Sequence, residues 1–252
     1  MIRLKFKIFI ILILSSHFLY SQVKDSLLNM WLIEANYSFM IPGGDIAERY
    51  GVCNTIGGGV TYKTKTNWTL GFEANYLFGN NIKDGTSVFD NLKTESGQII
   101  NEYGEYATIS LSQRGLYAGI KFGKIFPVIG PNKNSGIITN ISTGWLYHHI
   151  RIENKDNNAP PVIGDYKKGY DRLIGGYTLK KFIGYQYLSN NEMLNFYFGF
   201  EFYQAWTKSL RAYNFDTMEK DDNRYKDLLY SIRVGWIFSI YKKQTDKRYI
   251  FK

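Results

Sequence analysis

Two adjacent histidines, His148 and His149, are the residues of this sequence best suited to acid–base or metal chemistry. Neighbouring positions of a strand point to opposite faces, so the two rings cannot hold one metal ion together. The nearest upstream serine on the face of His148 is Ser142, roughly 20 Å away along an extended chain, which is too far for a local nucleophile–base pair. The single cysteine, Cys53, which we place in the first loop, excludes a cysteine-based zinc cluster. We therefore expect no enzyme, no metal and no cofactor, although another strand could supply a partner for His148.

Five charged residues alternate with apolar neighbours on what we predict to be the inner face of a sheet: Glu34, Glu73, Lys121, Glu201 and Arg233. Charges held away from water persist only when they are paired and hydrogen-bonded. If the sheet closes, the last strand lies beside the first, which places Arg233 between Glu34 and Glu201 and leaves Glu73 beside Lys121. We predict two ionic clusters that plug a narrow lumen, and a proton or ion path is the alternative.

The elements that carry these residues are predicted to be strands, because apolar and polar residues alternate with a period of two. The odd positions from Trp31 to Ile41 are apolar, and four phenylalanines from Phe196 to Phe202 line one face. Aromatic residues make up 17% of the chain, which argues against disorder and against a coiled coil. The alternation predicts eight strands, at about 31–41, 55–62, 68–78, 114–126, 137–150, 179–188, 195–203 and 229–241.

The connections between the strands alternate in length. Short ones fall at about 63–67, 127–135 and 189–192, and longer polar ones at about 43–54, 80–107, 151–176 and 207–227. Eight strands with short turns at one end and long loops at the other are typical of an all-β, antiparallel, up-and-down transmembrane barrel with periplasmic turns and extracellular loops. The alternative is a soluble barrel that turns its apolar face inward, but the less apolar face here carries too few charges to form a solvated exterior.

The N-terminus has the features of a secretory signal peptide. Residues 1–7 carry three basic side chains, residues 8–14 are continuously apolar, and a small residue, Ser21, precedes Gln22. We predict cleavage after residue 21, which lowers the formal net charge from +9 to +6 and leaves residues 22–252 as one barrel domain. No run of basic residues resembles a nucleic-acid-binding patch, so we expect no nucleic-acid partner.

The last predicted strand contains the pattern Arg233, Gly235, Phe238 and Ile240, a polar residue followed by a glycine and by aromatic or apolar residues at fixed spacing. This pattern is similar to the C-terminal signal by which the assembly machinery recognises outer-membrane barrels. A tail, residues 241–252, departs from the usual pattern by following the strand. Together with the signal peptide and the alternating loop lengths, the mature chain resembles the small eight-stranded OmpA/OmpX-type barrels. The resemblance implies the outer membrane of a Gram-negative bacterium and contact with its lipids and lipopolysaccharide.

The long loops are the predicted functional surface of the barrel. Aromatic and arginine side chains on loops suit contacts with another protein or with lipopolysaccharide, and the alternative is that they pack on one another and cap the barrel. We predict a non-enzymatic scaffold, receptor or accessory subunit of an envelope complex; a lipid-A-modifying enzyme and a narrow pore are the alternatives. The candidate contact residues are Phe89, Tyr166, Tyr170, Arg172, Arg211, Tyr213 and Phe215.

Overall fold

Eight antiparallel strands form a closed barrel in the computed structural model, which describes residues 27–83, 87–156, 158–189 and 194–240. The predicted all-β, antiparallel, up-and-down barrel of eight strands is thereby confirmed for the described residues, whereas the predicted signal peptide and the tail after residue 240 lie outside them. The strands are β1 (Met30–Gly44), β2 (Cys53–Lys63), β3 (Trp68–Gly79), β4 (Ile109–Phe126), β5 (Gly136–Asn154), β6 (Ile174–Leu188), β7 (Asn195–Ser209) and β8 (Arg224–Ile240).

Each strand pairs with the next along the chain, and β8 pairs with β1 to close the ring. A row of paired residues that starts at Trp31 on β1 passes once around the barrel and returns to β1 at Ile41, ten residues further along. This stagger tilts the strands by roughly 40° from the barrel axis. The intermediate members of the row are Tyr62, Leu70, Phe122, Ile141, Lys181, Phe202 and Tyr230.

The outward face of the barrel is apolar and exposed. Strict alternation places every second side chain outside, and the phenylalanines of β7 lie there, with Phe200 66% exposed. The soluble alternative, which requires these rings to be inside, is therefore not the arrangement of this chain. We call the outward positions between the levels of Trp31 and Ile41 the apolar band. On β1 and β8 it contains Trp31, Ile33, Phe39, Ile41, Ile232, Val234, Trp236 and Phe238.

The two ends of the barrel differ in their connections. Short turns, at residues 64–67 and 127–135, lie at one end, and Trp31 and Trp68 are close to them. The long connections at the other end contain one short helix, α1 (Ile46–Arg49), and three 3-10 segments (Ser87–Leu92, Pro160–Val162 and Gly164–Gly169). Within the described residues, no helix is long and apolar enough to cross a membrane. We refer to these ends as the short-turn end and the long-loop end.

Cys53 lies at the start of β2, fully buried, and not in the first loop as predicted. The strand begins earlier than the alternation suggested because Cys53 pairs with Met40 of β1, which extends the ladder toward the long-loop end. Its thiol packs among apolar side chains under the loops. This environment fits a structural role for the cysteine.

Candidate functional site

The lumen is the first candidate site, and two glycines of β2 make room for its charged side chains. Gly59 faces Glu34 of β1 on one side and Glu73 of β3 on the other, so the two glutamates share one register row. Gly57 stands in the same way between Asn36 and Asn75. A methyl group at Gly59 would lie 3.2 Å from Cβ of Glu73, so a larger residue there would crowd the carboxylate.

A buried ion pair lies nearer the short-turn end. Lys121 Nζ on β4 donates to both carboxylate oxygens of Glu34, at 2.7 and 2.6 Å, and Thr61 Oγ1 donates to the same carboxylate at 2.7 Å. Both charged side chains are almost fully enclosed. The carboxylate therefore has three hydrogen bonds in place of water, which is the condition under which a buried charge persists.

A second cluster lies further toward the long-loop end of the lumen, and we call it the central cluster. It joins four charged side chains: Glu73, Lys180, Glu201 and Arg233. Arg233 Nη1 donates to Glu201 Oε1 at 2.5 Å and to Glu73 Oε2 at 3.1 Å, and its Nη2 donates to Asn75 Oδ1 at 3.0 Å. Lys180 Nζ lies 2.5 Å from Glu73 Oε1 and 3.0 Å from Glu201 Oε1. Two acids thus share two bases, and every one of these side chains is buried.

All five predicted lumen residues lie inside the barrel, but two of the expected pairings are wrong. Arg233 contacts Glu73 instead of Glu34, and Lys121 contacts Glu34 instead of Glu73. The reason is the stagger of the sheet, because Lys121 faces Gly71, two residues nearer the short-turn end than Glu73. Its side chain consequently extends across the lumen to β1.

Lys180 is the central lumen residue that the sequence interpretation missed. It lies next to Lys181, and because strand residues alternate, one of the two lysines had to face inward. The positions around the pair are mixed on both faces, so the pattern did not indicate which one. The structure buries Lys180 and exposes Lys181.

Rings and aliphatic side chains fill the lumen on both sides of the charged clusters. Tyr117 and Tyr203 pack edge to face above the central cluster, with ring centroids 5.4 Å apart and Lys180 Nζ 5.3 Å from each ring centroid. Toward the short-turn end, Leu32 and Ile237 belong to a buried apolar cluster. A cavity of about 10 Å³ beside the Lys121–Glu34 pair has room for about one water molecule. The side chains form a plug.

His148 has a partner from another strand, in a second, smaller polar group at the long-loop end. Its Nε2 lies 3.3 Å from Asp227 Oδ2 on β8, Thr207 Oγ1 donates to the same oxygen at 2.6 Å, and the Tyr50 ring packs edge to face on the imidazole. His148 and Asp227 are both buried. Within the described chain, no hydroxyl or thiol hydrogen-bonds to the His148 ring, and no group of three or more potential metal ligands occurs.

The long loops pack on one another over the lumen. Phe89, Tyr170 and Phe215 come from three different connections, and Tyr170 is in ring contact with both of the others, at centroid distances of 5.7 and 5.5 Å. Phe89 is buried in the main apolar cluster with Ile46 and Tyr50. We call this assembly the loop cap. Burial of Tyr170 in it raises the pKa of the phenol above its ordinary value.

Two ion pairs also connect residues of the loop cap. Arg172 hydrogen-bonds to Asp216, and Arg211 Nε donates to Asp171 Oδ1 at 2.8 Å. The bond to Asp171 raises the pKa of the Arg211 guanidinium, so the pair is held in its charged form. Five of the seven predicted loop residues therefore make ring contacts or ion pairs within the loop cap, as the alternative interpretation of the loops predicted.

The remaining two predicted contact residues, Tyr166 and Tyr213, are exposed, at 63% and 44%. Two further loop tyrosines that the sequence interpretation missed, Tyr103 and Tyr106, are also exposed. Four of the five residues from Glu102 to Tyr106 are aromatic or acidic in the sequence, but loops have no periodicity that predicts exposure. The outer surface of the loop cap thus presents tyrosines, which suit contact with a partner.

The four residues of the predicted assembly pattern lie on both faces of β8. Arg233 and Gly235 point inward, and Phe238 and Ile240 point outward at the short-turn end, each more than half exposed. Gly235 lies directly under the ring of Tyr197, where an added methyl group would be 2.4 Å from Cε1. This glycine has a packing role in the folded barrel in addition to its place in the pattern.

No family model matches the chain, and no curated protein matches it. Similar solved structures include Ail, the attachment invasion locus protein of Yersinia pestis, with a TM-score of 0.44, 9% identity and coverage of 84% of this chain and 99% of that one. The outer membrane protein OprG from Pseudomonas aeruginosa has a TM-score of 0.40, 12% identity and coverage of 86% and 99%. For the N-terminal beta-barrel domain of Pseudomonas aeruginosa OprF the values are 0.38, 12%, 83% and 99%. The fold assignment rests on the strand pairing of the chain itself.

Proposed function

We propose that this chain is a transmembrane barrel of the outer membrane of a Gram-negative bacterium, exported by a signal peptide, and that it acts as a non-enzymatic scaffold, receptor or accessory subunit of an envelope complex. The observation that carries the proposal is the apolar band. A surface ringed by Phe, Ile, Leu and Val side chains is costly in water and favourable against acyl chains. Trp31 and Trp68 lie at one edge of the band, where interfacial tryptophans belong.

Outer-membrane lipids are the first partners that this placement implies. The long-loop end would face lipopolysaccharide, and its anionic groups would meet Lys208, which is exposed beyond the apolar band. Arg151 is exposed there as well, but it pairs with Glu153. The assembly machinery would recognise β8 by Phe238 and Ile240, whose rings and methyl groups remain accessible on the outer face.

Transport is disfavoured as the main activity. The three acids and three bases of the two lumen clusters balance one another, and rings and aliphatic side chains pack against them. The interior of an eight-stranded barrel is just wide enough for side chains to fill. This arrangement supports a sealed scaffold whose working surface is the outside of the loop cap.

The exposed tyrosines of the loop cap are the residues that we assign to partner binding. Tyr103, Tyr106 and Tyr166 each present more than half of their surface to solvent, on a cap fixed by buried rings and ion pairs. Tyrosine offers a large contact area at low conformational cost, which makes it frequent at interfaces. We expect the partner to be another envelope protein.

Affinity purification from native membranes tests this function. The wild-type barrel should retain a partner in fixed stoichiometry, and alanine at Tyr103, Tyr106 and Tyr166 together should reduce the retained partner at least tenfold. A matched control replaces Val128 and Ile129, which are similarly exposed at the short-turn end, by alanine and should leave the partner bound. Recovery of the barrel alone from wild-type membranes would overturn the proposal.

One observation favours a second candidate function. The His148–Asp227 pair is the arrangement that orients a general base, and lipid-A-modifying barrels would need such a base beside a nucleophile. The pair lies buried under the loop cap, and its only hydroxyl partner in the described residues, that of Thr207, bonds to Asp227 and not to the His148 ring, so this function is the weaker candidate. Mass spectrometry of lipid A from cells with the wild-type gene and with His148→Ala decides the question, because an enzyme would change the acyl chains and a scaffold would not.

A further inference from the structure

One charged side chain interrupts the apolar band away from its edges. On the described strands, the outward positions between the levels of Trp31 and Ile41 include two lysines, Lys124 and Lys181, and no acidic residue. Lys181 is exposed on β6, between Leu179 and Ile183 on the outer face. In a barrel that crosses a bilayer, an outward lysine would stand in hydrocarbon.

The register of the sheet gives the height of Lys181 in the apolar band. The row of paired residues that begins at Trp31 rises to Ile41 in eight steps from one strand to the next. Lys181 is reached after the fifth of these steps. Each step rises by roughly 3 Å for strands about 4.8 Å apart and tilted by about 40°. Lys181 therefore lies roughly 15 Å above the level of Trp31 and roughly 9 Å below that of Ile41. That is close to the middle of an apolar band about 25 Å tall.

The two lysines have different surroundings. Lys124 lies near the short-turn edge, where its Nζ is 4.7 Å from the ring centroid of Trp68 and its head can reach the interface. For Lys181, the described part of the chain provides no ion pair, hydrogen bond or ring contact. Its four-carbon stem is too short to carry the ammonium group out of the apolar band in either direction.

Lys181 borders a shallow groove in the outer surface. The groove runs between two neighbouring rows of side chains, from β5 across β6, β7 and β8 to β1, is open to the outside, and has a volume of about 890 Å³. Apart from Lys181 its outer lining is almost wholly apolar or aromatic, with Phe200 and Tyr230 among the largest side chains. The groove therefore offers apolar contact together with one cation.

The chemistry of the surroundings decides what can occupy this groove. Acyl chains provide no hydrogen-bond acceptor, and the headgroups and free fatty acids of a bilayer keep their anionic groups at the interface, roughly 9 Å or more from the level of Lys181. A second copy of this chain has no acidic residue in the described part of its apolar band. A carboxylate can be held at mid-depth when it is mounted on the strand or helix of another membrane protein.

We propose that the groove beside Lys181 binds a membrane-embedded segment of a different protein that carries an Asp or Glu side chain at the same depth. The contact would be an ion pair between the Lys181 ammonium and that carboxylate, with apolar packing around it. The inference rests on the proposed membrane placement of the barrel, and it adds a lateral interface to the surface of the loop cap. It explains why a cation is present where a leucine would be more stable in lipid alone.

Folding in vesicles of pure phosphatidylcholine tests whether Lys181 is unpaired when the barrel is alone. Lys181→Met should raise the equilibrium constant for folding roughly 30-fold or more, because a lysine at mid-depth is costly, while the matched Lys124→Met should change it less than roughly fivefold. Equal effects of the two substitutions would overturn the inference. Failure of the wild-type chain to insert into vesicles would instead overturn the proposed membrane placement.

Photo-crosslinking in cells identifies the occupant. A benzophenone amino acid in place of Phe200, which is exposed beside Lys181, should crosslink to a transmembrane segment of another protein that contains an acidic residue. The product should fall at least tenfold in Lys181→Met, and the probe at Phe72, also exposed in the apolar band but on β3, should give none. Crosslinks to lipid, to a second copy of this chain or to a segment without an acid would overturn the inference, as would a yield that Lys181→Met leaves unchanged.

Discussion

Lys121 on β4 and Glu34 on β1 form a 2.6 Å ion pair across the lumen, although three strand steps separate them around the wall. A pair of this kind is possible because the barrel is narrow and because the stagger of the sheet brings the two side chains to similar heights. It means that opposite walls are connected through the interior. The lumen of this barrel is a packed core in which two charged clusters lie between rings and aliphatic side chains.

The central cluster should be sensitive to the loss of a single base. Arg233→Met leaves Glu73 and Glu201 with one cation between them, and removal of one partner from a buried ionic network costs about 3–5 kcal/mol. We expect that loss in the free energy of unfolding, measured by urea titration in lipid vesicles. Arg224→Met, at an exposed position of the same strand, is the matched control and should change the stability by less than about 0.5 kcal/mol. Equal stabilities of the two variants would contradict the role of the cluster.

Because side chains fill the lumen, we expect that the barrel does not conduct ions. Purified protein in planar bilayers should give no steady current of porin size, because side chains occupy the lumen from Leu32 to Tyr203. A general porin added to the same chamber serves as the positive control. A reproducible open level for the wild-type chain would show that the plug opens and would favour the narrow-pore alternative.

Gly235 and Tyr197 should behave as one packing unit. A methyl group at position 235 would overlap the Tyr197 ring, so Gly235→Ala should destabilise the barrel by about 1–3 kcal/mol. In the background of Tyr197→Ala the same substitution should cost almost nothing, because the overlapping ring is gone. The double-mutant cycle is read from unfolding in vesicles, and additive effects would refute the contact. Slow assembly without any loss of stability would instead place Gly235 in recognition by the assembly machinery.

The loop cap should loosen when one of its buried rings is removed. Phe89→Ala deletes a ring that packs on Tyr170, and we expect a local loss of roughly 2 kcal/mol or more. Trypsin cleavage within residues 80–108 should then accelerate at least tenfold while the strands remain folded. Tyr166→Ala, at an exposed position, should leave the rate unchanged. A cap that is cut equally fast in both variants would show that the rings do not hold it.

The strands of the barrel wall and their two faces could be predicted from the sequence, because alternation along each strand assigns its residues to one face or the other. Trp31, Trp68 and the phenylalanines of β7 are where the period of two placed them. The inward direction of Glu34 and Glu73 followed from the same pattern. These properties depend on neighbouring residues alone, and no long-range information is needed to obtain them.

The pairing inside the barrel could not be obtained in this way. Which acid meets which base depends on the ten-residue stagger of the closed sheet, and no local pattern encodes that number. Without that number, Arg233 was assigned to Glu34, and the pairing of His148 with Asp227 could not be predicted. Lys180 was missed for a local reason, because polar and apolar residues are mixed on both faces around it. The loops lack periodicity, so the packing of their rings was visible only in three dimensions.

Spin labels on the outer face show whether the apolar band touches lipid. With Cys53→Ser as background, single cysteines at Ile120 and Ile232, and at Tyr166 of the loop cap, would be labelled after reconstitution in vesicles. We expect the labels at positions 120 and 232 to collide with dissolved oxygen far more often than with a water-soluble nickel complex, and the label at position 166 to do the opposite. Collision with the nickel complex at positions 120 and 232 as frequent as at position 166 would contradict this expectation.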